Sequence, residues 1–141
     1  MSQKNVQTVR RAFAELATGF PVDELESHLS DDALAEFFDP EVEWIPATQS
    51  LLATGSYHGY EGVRRFWTEF LSIWDEYDIQ AQELFDRGDQ VAVVMRMRGR
   101  THQVEIDEIW SSLSSIRDGR IVRVQGFASR DGAVEAAGLS E

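Results

Sequence analysis

The chain contains no cysteine. That excludes disulfides, thiolate nucleophiles and cysteine-ligated zinc or iron–sulfur centres. Proline is rare, at positions 21, 40 and 46 only, each between plausible elements. No run approaches the roughly 18 apolar residues of a membrane-spanning helix. The opening MSQKNVQTVRRAFAEL lacks the apolar stretch of a signal peptide and reads as helix. A cytoplasmic protein is the resulting expectation. Positive charge is scarce, with 13 Lys and Arg against 25 Asp and Glu, for a formal net charge of −12. Such a polyanion is repelled by nucleic acid and by anionic lipid, so neither nucleic acid nor membrane is an expected partner. The sequence has no GxSxG, Walker A, GxGxxG or HExxH pattern. The histidines at 28, 58 and 102 lie far apart without ligand spacing. No metal and no cofactor are expected.

What the chain does have is apolar bulk. Hydrophobic residues make up 43 % of its 141 positions, including eight Phe, four Trp and three Tyr. This suffices for one folded core, and without repeats or low-complexity linkers a single domain over 1–141 is expected. Val6, Val9, Phe13, Leu16 and Ala17 recur at helical spacing before Gly19. A short second helix is expected from Pro21 and Asp23, with Asp23 and Glu26 at capping-box spacing. A third runs from Ser30 or Asp31 to Phe38, with Pro40 ending it. Glu41 to Ile45 alternates like a strand with Val42 and Trp44 inward, and 47–59 form a polar connection. Val63, Phe66, Trp67, Phe70, Leu71 and Trp74 then trace the strongest helical stripe in the chain. Four strands are expected near 77–85, 90–102, 104–117 and 120–129, with turns at Arg87-Gly88-Asp89, His102-Gln103 and Arg117-Asp118-Gly119. A last helical turn runs from Gly132 to Ala137. Helices, one strand, a long helix and a meander describe an α+β domain.

In this order the segments VQTVRRAFAEL, FFDPEVEW, YHGYEGVRRFWTEF, GDQVAVVMRMRGR and IRDGRIVRVQGF resemble the nuclear transport factor 2-like superfamily, and within it the SnoaL-like branch. The resemblance covers nearly the whole chain. It implies a cone: a strongly curved antiparallel sheet wrapped around the N-terminal helices and one long helix, closed on an apolar pocket, often in a homodimer. It says little about activity, because the superfamily includes polyketide cyclases, steroid isomerases, dehydratases, epoxide hydrolases and non-catalytic binders. Steroid isomerases of the superfamily use a Tyr on the first helix and two Asp on the first and third strands. Those positions align with Phe13, Trp44 and Ser112, so the resemblance does not carry that apparatus into this chain. Related cyclases use an acid on the third meander strand, where Ser112 stands.

Strand parity fills in the cone. A tight turn at 102–103 pairs Arg100 with Glu105, Arg98 with Asp107, Met97 with Glu108 and Met95 with Trp110. The arginines and acids form an outer charge ladder. Met95, Met97, Trp110, Ser112, Ser114, Gly126 and Ala128 line the pocket, with Phe13, Trp44 and Trp67 from other elements. Three Trp on converging elements suit a flat, hydrophobic small molecule. Glu108 is the one carboxylate in the inward phase. It reads either as a general acid or base raised in pKa by an apolar wall, or as an ion-pair partner of Arg130 at the rim. His58 reads either as a proton donor at the mouth or as a hydrogen-bonding group at the start of the long helix. Ser112 and Ser114 bond either a ligand carbonyl or backbone. Leu113 and Phe127 are apolar in the outward phase, where a homodimer would pack. Two functions stay open: a pocket for a hydrophobic metabolite, with or without cofactor-free isomerase, cyclase or dehydratase chemistry, and a plugged, non-catalytic interaction module.

Overall fold

The computed structural model describes residues 2–16, 29–46, 57–127 and 129–138, with residues 2, 3, 14–16 and 71 described through their backbone alone. The elements are α1 (Ser2–Leu16), α2 (Asp31–Ala35), β1 (Phe38–Ile45), β2 (Tyr57–His58), α3 (Gly59–Ile73), β3 (Glu76–Asp86), β4 (Gln90–Arg100), β5 (Glu105–Arg117), β6 (Arg120–Phe127) and α4 (Arg130–Ala136). The six strands form one curved, unclosed sheet in the order β2-β1-β6-β5-β4-β3. The second helix expected from Pro21 and the capping pair Asp23 and Glu26 lie outside the described residues, as do Gly19, His28, Ala128 and most of the 47–59 connection.

The meander folds as its alternation dictates. Arg100 faces Glu105, Arg98 faces Asp107, Met97 faces Glu108 and Met95 faces Trp110. The β5–β6 hairpin closes through Asp118 (φ 55°) and Gly119 (φ 80°). Two successive left-handed residues match the right-handed twist of the flanking strands, which is why the Asp-Gly pair marks this hairpin. Register shifts fall between Ala81 and Glu83 on β3 and between Ser115 and Ile116 on β5. Gly99 carries no shift against β5. Instead it admits the Trp74 ring, since a Cβ there would lie 2.7 Å from the indole.

Several expectations are corrected. β1 begins at Phe38 and runs through Pro40. Proline interrupts helices but is tolerated at a strand bulge, and the β1–β6 register does shift between Phe38 and Glu43. β1 also lies parallel to β6, the one parallel pair among the described residues. The α3-to-β5 excursion between them provides the long crossover that a parallel neighbour needs. Tyr57 and His58, expected in a connection, form a short strand on β1. Val104, expected to open the strand 104–117, stands in the turn before β5 and is 52 % exposed.

The charge ladder keeps its Cα register but not its partners. Arg96 grips Asp107 through two bonds of 2.8 and 2.6 Å, while Arg98 reaches Asp78 and Arg100 reaches Glu76 on β3. Sheet twist brings diagonal neighbours within reach of a long side chain, and β3 offers acids on the other flank. The Arg96 hydrogen bonds hold the Asp107 carboxyl below its ordinary range.

One core runs between the sheet's concave face and helices α1 and α3, including Val9, Leu34, Phe38, Val63, Phe66 and Met97. A smaller cluster sits on the opposite face, where Ala133 of α4 and Ala137 at its C-cap cover Ala92 and Leu113, with Phe85 and Phe127 alongside. The surface expected for dimerisation at Leu113 and Phe127 is therefore occupied by the chain's own C-terminal helix. Ser129 sets that helix by accepting from the Gly132 N–H, and Ser111 donates to the Ser129 carbonyl while accepting from the Ala133 N–H.

β2 is tied to α3 by the fully buried Tyr57, whose hydroxyl donates to Glu69 Oε1 at 2.6 Å beneath the Arg65 guanidinium. Burial first, then the bond to Glu69, pushes the phenol up to about 12. A titration followed by phenolate absorbance is expected to show one tyrosine ionising near that value. The unfolded chain sheds this proton near pH 10 and the fold keeps it. The contribution is thus fully present below pH 10 and is lost as pH rises through about 12. Tyr57→Phe should remove the late step.

Candidate ligand pocket

The concave face and the helices bound a half-open cavity of about 120 Å³. Its walls come from every layer. Val9, Ala12 and Phe13 project from α1, and Phe66, Trp67 and Phe70 from α3. Phe38, Trp44 and Ile45 reach in from β1, Ile79 from β3 and Met95 from β4. Trp110, Ser112 and Ser114 come from β5, and Ile121, Val124 and Gly126 from β6. The helical stripe of α3 and the strand alternation of β4 to β6 are what turn these residues to one side. No lining residue among those described carries a charge.

The aromatic side chains form a continuous wall. Trp44 packs against Phe66 at 5.3 Å and edge-on against Trp67 at 6.1 Å, and Phe66, Trp67 and Phe70 contact one another at 5.5 to 5.8 Å. This cluster fills part of the cone without plugging it. The remaining space is smaller than the roughly 300 Å³ that marks the lower end of drug-sized sites. It is close to the ~150 Å³ of apolar cavities that stay dry and accept a benzene ring.

The polar atoms in this wall differ in how they are engaged. Ser111 faces the opposite side and is fully used by α4. Ser112 and Ser114 are buried in the concave phase, and their hydroxyls make no hydrogen bond to another described group. Facing positions on the neighbouring strands are small or apolar: Ser112 lies opposite Val93 and Gly126, and Ser114 opposite Val91 and Val124. The Trp67 indole N–H is buried without a partner among the described residues.

Of the residues singled out in the sequence, Phe13, Trp44, Trp67, Met95, Trp110, Ser112 and Ser114 meet at this cavity. Met97 is fully buried in the core behind it and does not reach the lining. Glu108 does not line it either. Although it shares the concave phase with Trp110, it is exposed, like Glu105, Asp107 and Ile109 in the same half of β5. Its carboxylate accepts from the Trp110 Nε1–H at 2.7 Å. Arg130 is not its partner. β6 ends at Phe127 and the chain turns onto the opposite face, where Arg130 pairs with Glu83 and Asp131. His58 is exposed on the edge strand β2, with Glu43 opposite it. Phe66, Phe70, Phe38 and Val9 also line the cavity, and the sequence reading does not place them in the wall. Phe66 and Phe70 share the Trp67 stripe, so the helical period contained that signal. Val9 and Ala12 become lining only through the way α1 crosses β3 and β4.

The described residues thus form an α+β cone around a half-open apolar cavity whose described lining carries no charge. The profile of the SnoaL-like domain family matches residues 9–124, and the chain belongs to that family. Among solved structures it is similar to TerC co-crystallised with polyporic acid, at 17 % identity and a TM-score of 0.71, over 96 % of this chain and 98 % of TerC. It is similar also to a protein described as a SnoaL-like polyketide cyclase from Jannaschia sp. CCS1, at 20 % identity and a TM-score of 0.66, over 99 % of this chain and 94 % of that one. A third is a protein with a ketosteroid isomerase-like fold from Catenulispora acidiphila, in complex with trimethylamine, at 14 % identity and a TM-score of 0.59, over 77 % and 82 %. These likenesses concern the fold. No curated protein matches by sequence. Among the described residues, no group of His, Asp or Glu is placed to hold a metal ion, and no helix is long and apolar enough to cross a membrane.

Proposed function

We propose that this chain binds a small, uncharged, flat and mostly apolar molecule in the cone, with Ser112 and Ser114 as its polar contacts. The observation that carries the reading is the lining: aromatic and aliphatic on all sides, with two untied hydroxyls and no charged residue among those described. Removing a ring from water supplies affinity. A carboxylate or ammonium would instead lose its hydration with nothing to replace it, which costs several kcal/mol or more. Two hydroxyls two residues apart on one strand stand about 6.6 Å from each other. That spacing suits oxygen substituents near opposite ends of a single ring.

Binding is favoured over acid–base catalysis because no carboxylate or imidazole among the described residues touches the cavity. TerC, a fold neighbour, has been co-crystallised with polyporic acid, which supports a small-molecule ligand for this fold.

Calorimetric titration with 1,4-diethylbenzene and 4-ethylbenzoate tests the reading. The neutral compound is expected to bind with a Kd on the order of 0.1–1 mM, a plausible return for ten heavy atoms in an apolar site. The carboxylate should bind at least about tenfold more weakly. With 1,4-dimethoxybenzene, the Ser112→Ala/Ser114→Ala double variant should weaken binding about three- to tenfold, while 1,4-diethylbenzene is unaffected. Equal binding of neutral and ionised compounds would overturn the proposal.

A further inference from the structure

Glu108 is the residue that the sequence marks most strongly for chemistry, and the structure gives it a different task. We infer that Glu108 is a positioning residue: it latches the Trp110 indole in place as the outer wall of the cavity mouth and thereby controls how fast an apolar ligand enters and leaves.

Three observations on different levels converge. Along β5 the residues from Glu105 to Ile109 are exposed or half-exposed, and those from Ser111 to Ser114 are buried, so half-buried Trp110 stands at the boundary between solvent and cavity. Trp110 lines the cavity, packing in register with Met95 on the adjacent strand. Its Nε1–H donates to Glu108 Oε1 at 2.7 Å, within the range of charge-assisted bonds. Residues i and i+2 on a strand share a face, so the carboxylate lies alongside the indole and can hold it with no backbone change.

The latch also has no competitor. Arg130 is engaged by Glu83 and Asp131, and Arg96 and Arg98 by Asp107 and Asp78 on the convex face. No salt bridge to Glu108 is found among the described residues, so one oxygen of its carboxylate remains open to solvent or to a ligand group at the mouth. A tryptophan has two side-chain torsions and a large face. Releasing its one polar anchor lets the indole leave the wall, and the cavity then loses closure on that side.

The inference rests on the pocket reading for its kinetic consequence but not for the latch itself, and two readouts separate them. The first is the indole N–H region of a ¹⁵N–¹H spectrum, with the Trp110 peak identified by its absence in Trp110→Phe. Glu108→Ala should move that peak upfield and speed its exchange with water. Glu108→Gln, whose amide oxygen still accepts, should leave it near its original place. The second is the dissociation rate of 1,4-diethylbenzene from line-shape analysis. It should rise about fivefold in Glu108→Ala, the loss of roughly one net hydrogen bond, and be restored by Glu108→Gln. An unmoved Trp110 peak in Glu108→Ala overturns the latch. A moved peak with an unchanged dissociation rate overturns its role at the mouth. If the wild-type protein binds no neutral probe, the pocket reading fails, and the spectrum alone then decides the latch.

Discussion

Phe66→Ala is expected to lower the unfolding free energy by about 3–5 kcal/mol, a large part of the ~5–15 kcal/mol that a domain typically has. Phe66 is buried and touches Trp44, Tyr57, Trp67 and Phe70. It links the floor of the sheet to α3 and to the short strand β2. Its removal forfeits the transfer of a phenyl ring and leaves aromatic neighbours that cannot collapse into the gap, because each is held by a further contact. Urea denaturation should show a lower midpoint with an unchanged slope, the signature of lost stability without a change in the unfolded state. The same substitution enlarges the cavity, so a bulkier neutral compound such as 1,4-diisopropylbenzene should gain affinity over 1,4-diethylbenzene. A loss near 1 kcal/mol would mean that the ring is replaceable and that the aromatic wall is looser than described.

Ser112→Asp should have a comparable effect with a different dependence on pH. The substitution puts an acid among Val93, Gly126 and the apolar cavity wall. Burial disfavours the ionised form, so the folded-state pKa of this carboxyl is raised by about 2–3 units over the unfolded value near 3.9. With the folded pKa raised, the carboxyl is neutral in both states at low pH, and the variant is then close to the wild type. As pH rises past about 4 the unfolded chain ionises and the fold does not. Stability falls at about 1.4 kcal/mol per pH unit until the folded pKa is passed. At pH 8 the loss should reach about 3–4 kcal/mol, and neutral-probe binding should be lost with it. Stability measured at pH 4.5 and pH 8 checks this. A pH-independent difference would show that water reaches Ser112 freely and that the cavity is not the dry site described.

How far the sequence reveals the molecule can be followed residue by residue. The β4–β5 register was legible because Met95 and Met97 alternate with Arg96, Arg98 and Arg100, and a one-residue slip would put three guanidinium groups in the core. The stripe of α3 was legible for the same reason at the helical period. Glu108 shows where that logic stops. Parity places it on the concave side, but whether that side is covered at its level depends on where α1 and α3 end over the sheet, and no local pattern encodes this. Arg130 fails likewise: a strand read two residues too long carries it toward Glu108, when Ser129 in fact caps a helix that turns to the other face. Ser112 and Ser114 were recognisable as concave, but that their hydroxyls lack partners, unlike that of Ser111, depends on the three-dimensional neighbourhood.

A neutral ligand held between the helices and the concave face is tested most directly by intermolecular nuclear Overhauser effects. With 1,4-diethylbenzene in excess, contacts are predicted from its ring protons to the methyl groups of Met95, Val9 and Val124 and to the Trp110 indole ring, all of which line the cavity. Contacts confined to the exposed side chains of Ile109 and Val104, with none to Met95 or Val9, would contradict it.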